Sequence, residues 1–524
     1  MCGASALALV MTNKDTNSHL TSGRLLARNT AWNLAGQILP MLVGILTIPV
    51  IIRAMGVDRF GVLSLAWVVV GYFSLFDLGI GRALTKMVAD KLGANEELYI
   101  APLAWTSLLL MFVLGICGAA VTLAVSPLLV HRVLKIPEAL QNETLHGFYL
   151  LAVSIPIVTL TAGLRGVLEA LQRFRLVNLI RIPMSVLSVA APLLVFPFSR
   201  GLVPVIAVLA FGRLIGCLAH VWACFAALPV LRSQSFFDRS FISPLVGFGS
   251  WMTVNNLLGP LLSYIDRFLV GALLSVTAVA YYTTPIDLVL RLIVVPLSIV
   301  GVLFPAFAMT LNRDPARSGM LLTRGLQYVF LILFPVVLVI LTFAPEGLRL
   351  WLGPTFSVQS SGVLRWAAAG VFINSLSVLP FGIIHSAGRP DITAWLLLGE
   401  LPAYSIGVWL LTRWLGIEGT AIAWTGRYLV ELVLVFFFFR RLLPEVSKFV
   451  PRQGMRVTAS LAVLYLATLP RGYGAKIAFL CIGLTALAAM SWRWITPDER
   501  RLLRFIQIQF DNKSSAKRQT EIAN

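Results

Sequence analysis

Val208-Leu-Ala-Phe-Gly-Arg213-Leu-Ile-Gly216 and Ile422-Ala-Trp-Thr-Gly-Arg427-Tyr-Leu-Val430 place the same glycine–arginine pair inside two apolar stretches, 214 residues apart. Arginine at the centre of a membrane helix costs about 2.5–3.5 kcal/mol on insertion scales, so it faces protein or water rather than lipid. The same costly residue at equivalent points of two halves reads as a duplicated membrane carrier with a polar, cationic interior.

Working outward, the composition agrees. Hydrophobic residues make up 58% of the 524 and charged residues only 12%, against about 25% charged in a soluble domain. The net charge of +19 raises the question of nucleic acid, but the basic residues are not gathered on a binding face. They recur in short segments between apolar spans, the pattern of a polytopic inner-membrane protein. Nucleic acid is therefore excluded as a partner. Cys2, Cys117, Cys217, Cys224 and Cys481 show no CxxC spacing, which predicts free thiols and neither a disulfide framework nor a metal site. Met1–Leu20 has a short apolar run with no basic segment before it, so it does not read as a cleavable signal.

Segments long enough to cross about 30 Å of hydrocarbon fall near 30–52, 61–80, 99–130, 145–172, 176–199 and 202–231, then 245–274, 279–310, 321–345, 360–386, 391–414 and 418–440, with two more near 456–470 and 474–494. A cytoplasmic N-terminus puts 28 Lys and Arg inside and 10 outside, an asymmetry that predicts both termini in the cytoplasm. The predicted fold is an all-α polytopic membrane protein of about 14 transmembrane helices. It comprises a cytoplasmic tail 1–28, an N-lobe of six helices over 29–232, a linker 233–243, a C-lobe of six helices over 244–443, two further helices over 444–496 and a tail 497–524. The last residues, Ile508–Asn524, are polar and are expected to be disordered.

Weak internal matches run in order at nearly constant offset. Gly166-Val-Leu-Glu-Ala-Leu-Gln-Arg173 is similar to Gly382-Ile-Ile-His-Ser-Ala-Gly-Arg389, Arg181-Ile-Pro183 to Glu400-Leu-Pro402, and Ala31-Trp32 to Ser250-Trp251. Six helices per repeat leave both halves in the same orientation, related by an axis along the membrane normal, and the binding cavity is expected between them.

No hydrolytic or nucleotide motif is present: GxxxxGK[ST], GxSxG and HExxH are all missing. The chain reads as no enzyme, with no cofactor and with transport driven by an ion gradient or membrane potential. Asp287 and Arg291 are four residues apart, as are Arg427 and Glu431, so each pair shares a helix face. Each is either an ion pair that eases insertion or a pair that opens when an anion takes the arginine and the carboxylate takes a proton. Asp266 and Arg267 are adjacent, point about 100° apart and cannot share a face, which leaves Arg267 as a ligand candidate. Arg213 has no carboxylate within a turn and either reaches another helix or binds an anion. Glu400 has no basic neighbour on its own helix and suits proton coupling, or else a helix-packing hydrogen bond. Asn33, Gln37, Asn255 and Asn256 fall on the first helix of each half, where they either join helices or contact substrate. Asp77 and Arg82 flank an inner helix end and read as snorkelling residues. Pro285 and Pro296 flank Arg291 and predict a bend there.

Asn29-Thr-Ala-Trp-Asn33, Pro49-Val-Ile-Ile-Arg53-Ala-Met-Gly56-Val-Asp-Arg-Phe-Gly61 and Phe76-Asp77-Leu-Gly79-Ile-Gly81-Arg82-Ala-Leu-Thr85 resemble the opening of Wzx-type polysaccharide flippases. Ile265-Asp266-Arg267, Ala387-Gly388-Arg389-Pro390-Asp391 and Gly416-Ile-Glu-Gly419-Thr-Ala421 extend that resemblance over roughly 25–440. It implies the multidrug/oligosaccharidyl-lipid/polysaccharide exporter superfamily, with two six-helix lobes around a V-shaped cavity that opens alternately to each side. The implied substrate is an undecaprenyl-pyrophosphate-linked oligosaccharide, flipped from the cytoplasmic to the periplasmic leaflet of the bacterial inner membrane for O-antigen, capsule or exopolysaccharide synthesis. Membrane lipid, the polysaccharide polymerase and the export machinery are the further candidate partners. The site expected on this reading takes Arg213, Arg267, Arg291, Arg427, Asn33 and Asn255 for substrate, and Asp287, Glu400 and Glu431 for ion coupling. Charge-assisted bonds from arginines suit a pyrophosphate. A lipid II flippase and a drug/cation antiporter of the same fold are the alternatives. The basic lean of the lone intramembrane charges disfavours the antiporter, and the absence of a large predicted external loop disfavours a polymerase or ligase.

Overall fold

The computed structural model describes residues 23–72, 78–93, 96–171, 173–233, 237–311, 314–448 and 460–494. The expected tail 497–524, residues 1–22, Asp77 and the side chains of Asn33, Gln37, Asn255 and Asn256 fall outside these residues, while 23–28, expected in the N-terminal tail, already belong to the first helix. Among the described residues the regular structure is entirely helical, and eight helices are long and apolar enough to cross a membrane. Two shorter apolar helices, Leu39–Met55 and Tyr473–Ala489, accompany them.

In chain order the helices are α1 Gly23–Met55, α2 Val57–Tyr72, α3 Ile80–Gly93, α4 Ile100–Leu128, α5 Glu138–Val153, α6 Ile155–Ala170, α7 Phe174–Val195 and α8 Leu202–Ala227. Then follow α9 Ile242–Leu273, α10 Val276–Leu290, α11 Val294–Thr310, α12 Pro315–Leu352, α13 Pro354–Ser386, α14 Pro390–Leu442 and α15 Tyr473–Trp494. Helix starts carry ordinary signals. Prolines open α12, α13 and α14, where a missing N–H costs nothing. Ser275 and Asp314 cap α10 and α12 by accepting from the N–H groups of Ala278 and Arg317 at 3.0 and 2.9 Å. In the linker before α9, Asp238 accepts from the Ser240 N–H at 2.9 Å, and bonds to Ser240 hold its carboxyl below the usual range.

The breaks matter as much as the helices. α14 has 53 residues, about 80 Å if straight, enough for two spans. It turns at Gly416, whose φ of 62° and ψ of −144° lie outside the helical region and suit glycine. The two spans expected near 391–414 and 418–440 thus meet at one residue without a loop. Between α10 and α11 the chain passes through a 3-10 turn, Arg291–Ile293, which is where Pro285 and Pro296 predicted a bend.

Packing groups the chain into two compact units, one of Met1–Arg291 with Asp391–Arg427 and the other of Leu292–Pro390 with Tyr428–Asn524. In the first unit α3, α4, α6 and α8 pack around Leu84, Ile100, Leu103, Leu168 and Val177, all buried. In the second, α12 lies along α13, with Phe330, Phe334 and Phe372 in mutual ring contact at 4.9–6.0 Å. α13 is the most enclosed of the spans. Intramembrane hydroxyls satisfy themselves locally, as where Thr144, Thr284 and Ser375 donate to the carbonyl four residues back at 2.7–2.8 Å. Large apolar and aromatic side chains such as Leu46, Trp222, Trp395 and Trp414 stand exposed. On a soluble surface such residues would be a liability; against lipid they are the solvated face, with tryptophan suited to the interface.

Candidate functional site

Within the first unit, charged and phenolic side chains of α9, α10 and the early part of α14 converge in the apolar interior. Asp266 is 1% exposed. Its Oδ2 accepts from the Tyr282 hydroxyl at 2.6 Å and its Oδ1 from the Arg267 N–H at 2.8 Å. The Tyr404 hydroxyl of α14 lies beside the same carboxylate. Arg267, equally buried, sends its guanidinium away from Asp266: Nη2 donates to Asp287 Oδ1 at 2.6 Å, and Cζ sits 5.1 Å from the Tyr264 ring centroid. A second buried pair follows on α14, where Arg427 Nη1 donates to Glu400 Oε2 at 3.2 Å and Cζ lies 5.3 Å from the Tyr404 ring.

The cluster therefore counts two arginines, Arg267 and Arg427, and three carboxylates, Asp266, Asp287 and Glu400. An uncompensated charge in this medium is far costlier than a paired one. Arg267 and Arg427 bond Asp287 and Glu400, while Asp266 takes hydrogen bonds from Tyr282 and the Arg267 N–H and lies within the field of the Arg267 guanidinium. Asp287 is the more open of the acids, with its side chain 42% exposed.

The structure redistributes the expected partners. The four-residue spacing points Asp287 at Arg291, but Asp287 meets Arg267 on another helix. Glu431 of the second unit accepts from the Ser377 hydroxyl at 2.9 Å. Glu400, which has no basic neighbour within a turn, gains Arg427 from beyond the Gly416 turn. Arg291 is exposed on its 3-10 turn. Arg213 lies away from this convergence: its Nη1 donates to Ser154 Oγ at 2.7 Å, at the break between α5 and α6. Asp266 and Tyr282 belong to the cluster and were not among the expected site residues. The adjacency of Asp266 to Arg267 drew attention to the arginine, and the acid's own position on the buried face was the signal passed over.

One end of the same unit is drawn tightly together. An added Cβ on Gly61 of α2 would stand 1.9 Å from the Val276 carbonyl oxygen, so backbone meets backbone there. The Thr277 hydroxyl donates to the Asp58 carboxylate. Lys135 donates its N–H to the Gly271 carbonyl at 3.0 Å and its Nζ to that of Leu273 at 2.6 Å, and Arg59 pairs with Glu143 at 3.2 Å.

Comparison with known proteins identifies the fold and the family. Residues 26–311, more than half of the chain, match the family described as "Polysaccharide biosynthesis protein". The chain belongs to this family. Among curated relatives of this family member, a "Putative O-antigen transporter" of Shigella flexneri is 29% identical over 415 residues, covering 79% of the chain and 98% of the relative. An "Uncharacterized membrane protein EpsK" of Bacillus subtilis (strain 168) is 24% identical over 391 residues, covering 71% and 74%. Among solved structures, an inward-facing multidrug resistance MATE family transporter of the MOP superfamily aligns with a TM-score of 0.66 at 15% identity, over 80% of the chain and 96% of that structure. The family member thus has a MATE-like, all-helical fold with helices long and apolar enough to cross a membrane.

Proposed function

We propose that this transporter flips a polyprenyl-pyrophosphate-linked oligosaccharide, with undecaprenyl as the lipid, from the cytoplasmic to the periplasmic leaflet of the inner membrane, with both termini cytoplasmic. The observation that carries the reading is the buried cluster of Arg267, Asp287, Arg427, Glu400 and Asp266. Pyrophosphate is the anion that bidentate guanidinium groups recognise well. When it takes Arg267 or Arg427, Asp287 or Glu400 loses its partner and takes up a proton instead. The cluster is neutral in the resting state when it carries one proton, which this reading assigns to Asp266, the most buried of the three acids. Substrate binding and protonation are then linked through the same two arginines, and Arg291, exposed at the turn beside Asp287, serves as the first contact.

The drawn-together end supports alternating access. It consists of the turns after the first, third and seventh spans, which the basic-residue count assigns to the periplasmic side. Closed there, the transporter would load from the cytoplasm. Two lobes of six helices, 29–232 and 244–443, are the rigid bodies this cycle requires.

Complementation of a flippase-deficient strain tests the reading. Arg267→Ala and Arg427→Ala are expected to abolish polymer export with the protein still in the membrane, and Arg291→Ala to reduce it. Unchanged export by all three would overturn the site. Retained drug efflux with no polymer export by the wild-type chain would overturn the substrate in favour of an antiporter.

A further inference from the structure

In the other unit a groove of about 670 Å³ lies between α11 and α12. That volume falls in the range of small-molecule pockets, about 300–1,000 Å³. Ser298, Ile299 and Leu303 of α11 form one wall, and Leu321, Arg324 and Tyr328 are among the residues of α12 that form the other. The floor is shaped by Gly325, where an added Cβ would stand 2.7 Å from Leu303 Cδ1 and 2.3 Å from Leu379 Cδ2. At the top, the Thr310 and Ser318 hydroxyls join the two helices at 2.7 Å.

Apart from Ser298, whose hydroxyl donates to the Val294 carbonyl at 2.7 Å, the groove is apolar except along one stripe. Arg317, Leu321, Arg324 and Tyr328 follow one another at three- and four-residue spacing on α12, so they line one face over about 16 Å. The depth of that stripe in the bilayer follows from the sequence. Residues 325–345 are an uninterrupted uncharged run of 21 between Arg324 and Glu346, about 31 Å of helix, the thickness of the hydrocarbon layer. Arg324 therefore stands at the boundary, Arg317 about 10 Å further out among headgroups, and Tyr328 one turn inside, where an aromatic with a polar tip is at home. Two cations at headgroup level lead into an apolar channel that descends beside them, and no carboxylate is among the residues lining it.

We propose that this groove holds an anionic glycerophospholipid of the bilayer, its phosphate on Arg317 and Arg324 and one acyl chain along Ile299, Leu303 and Leu321. Charge complementarity selects the headgroup: juxtamembrane basic side chains attract acidic lipid with about fivefold in affinity for each arginine. The apolar wall below selects a chain over a free phosphate. The site lies outside the Arg267 cluster and is independent of what the transporter carries.

The test uses the full chain in detergent, titrated with phosphatidylglycerol or phosphatidylcholine of the same chain length and read by native mass spectrometry and thermal unfolding. Phosphatidylglycerol is expected to remain bound and raise the melting temperature, and phosphatidylcholine to do neither. Arg317→Gln with Arg324→Gln should weaken phosphatidylglycerol binding by about thirtyfold. Leu321→Trp, which fills the channel and keeps both charges, should weaken it as well. Glycerol phosphate without chains should not compete. Equal retention of both lipids, or undiminished phosphatidylglycerol binding by the double variant, would overturn the proposal. Displacement by equimolar undecaprenyl phosphate would overturn it too, in favour of the transported lipid.

Discussion

Gly212-Arg213 and Gly426-Arg427 are the same dipeptide, each inside an apolar helix, and the protein puts them to different use. Arg213 is met by a hydroxyl, Ser154, at the break between α5 and α6. Arg427 is met by a carboxylate, Glu400, among tyrosines. The glycines differ as well. A side chain on Gly212 would press on Leu187 Cδ2 at 2.7 Å, so this residue sets how closely α7 approaches α8, whereas Gly426 has nothing within 4 Å of the same position. The comparison teaches that the cost of burying an arginine is fixed by residue type, but its role is fixed by the partner that a different helix delivers. A hydroxyl gives a strut; a carboxylate gives a pair that an anion can exchange.

Substitutions that break this contrast should differ in size. The largest effect is expected from Glu400→Leu, which removes the carboxylate that the buried Arg427 bonds and should cost about 3–5 kcal/mol, read as a lower melting temperature in detergent. Arg427→Met in the same chain should recover most of that stability while polymer export stays absent, separating the structural part of the pair from its function. Ser154→Ala comes next, at about 1–2 kcal/mol, since a bond to a charged group is lost in a medium where such bonds average less than in soluble cores; export should persist in proportion to the protein remaining. Asp266→Asn keeps shape and hydrogen-bonding capacity but cannot hold and release a proton. It should change melting by less than about 1.5 kcal/mol yet flatten the dependence of export on the proton gradient, measured with a protonophore. Smallest is the glycine pair: Gly426→Ala should stabilise by up to about 1 kcal/mol through helix propensity, and Gly212→Ala by less, because Leu187 must move.

How far the sequence carried the reading follows from the kind of information each feature needs. The helical membrane fold was legible because apolar run length and loop charge are properties of single segments. The 3-10 turn at Arg291–Ile293 lies between Pro285 and Pro296, which the sequence marks in the same local way. Partners were not. The four-residue rule describes neighbours on one helix, and Arg267–Asp287 is made across helices. Arg427–Glu400 is made across the Gly416 turn, so neither pair is encoded in local spacing. Arg213–Ser154 was half visible: the lack of a carboxylate within a turn said that Arg213 must look elsewhere, but not that it would find a serine 59 positions back. Asp266 was hidden by its own neighbour, since two adjacent residues on a helix diverge and only the packed structure shows that both directions are occupied.

The contact at Gly61 has a consequence for energy conversion. A carrier that alternates between two states spends time in each according to their free-energy difference, and every 1.4 kcal/mol shifts that ratio tenfold. Because α2 touches the Val276 carbonyl through bare backbone, even one methyl group at position 61 would act as a wedge and, under the proposed cycle, raise the energy of the state closed at that end. Under that proposal the resting occupancy is set by a residue that binds nothing, and the work of reopening that end is written into the absence of a side chain.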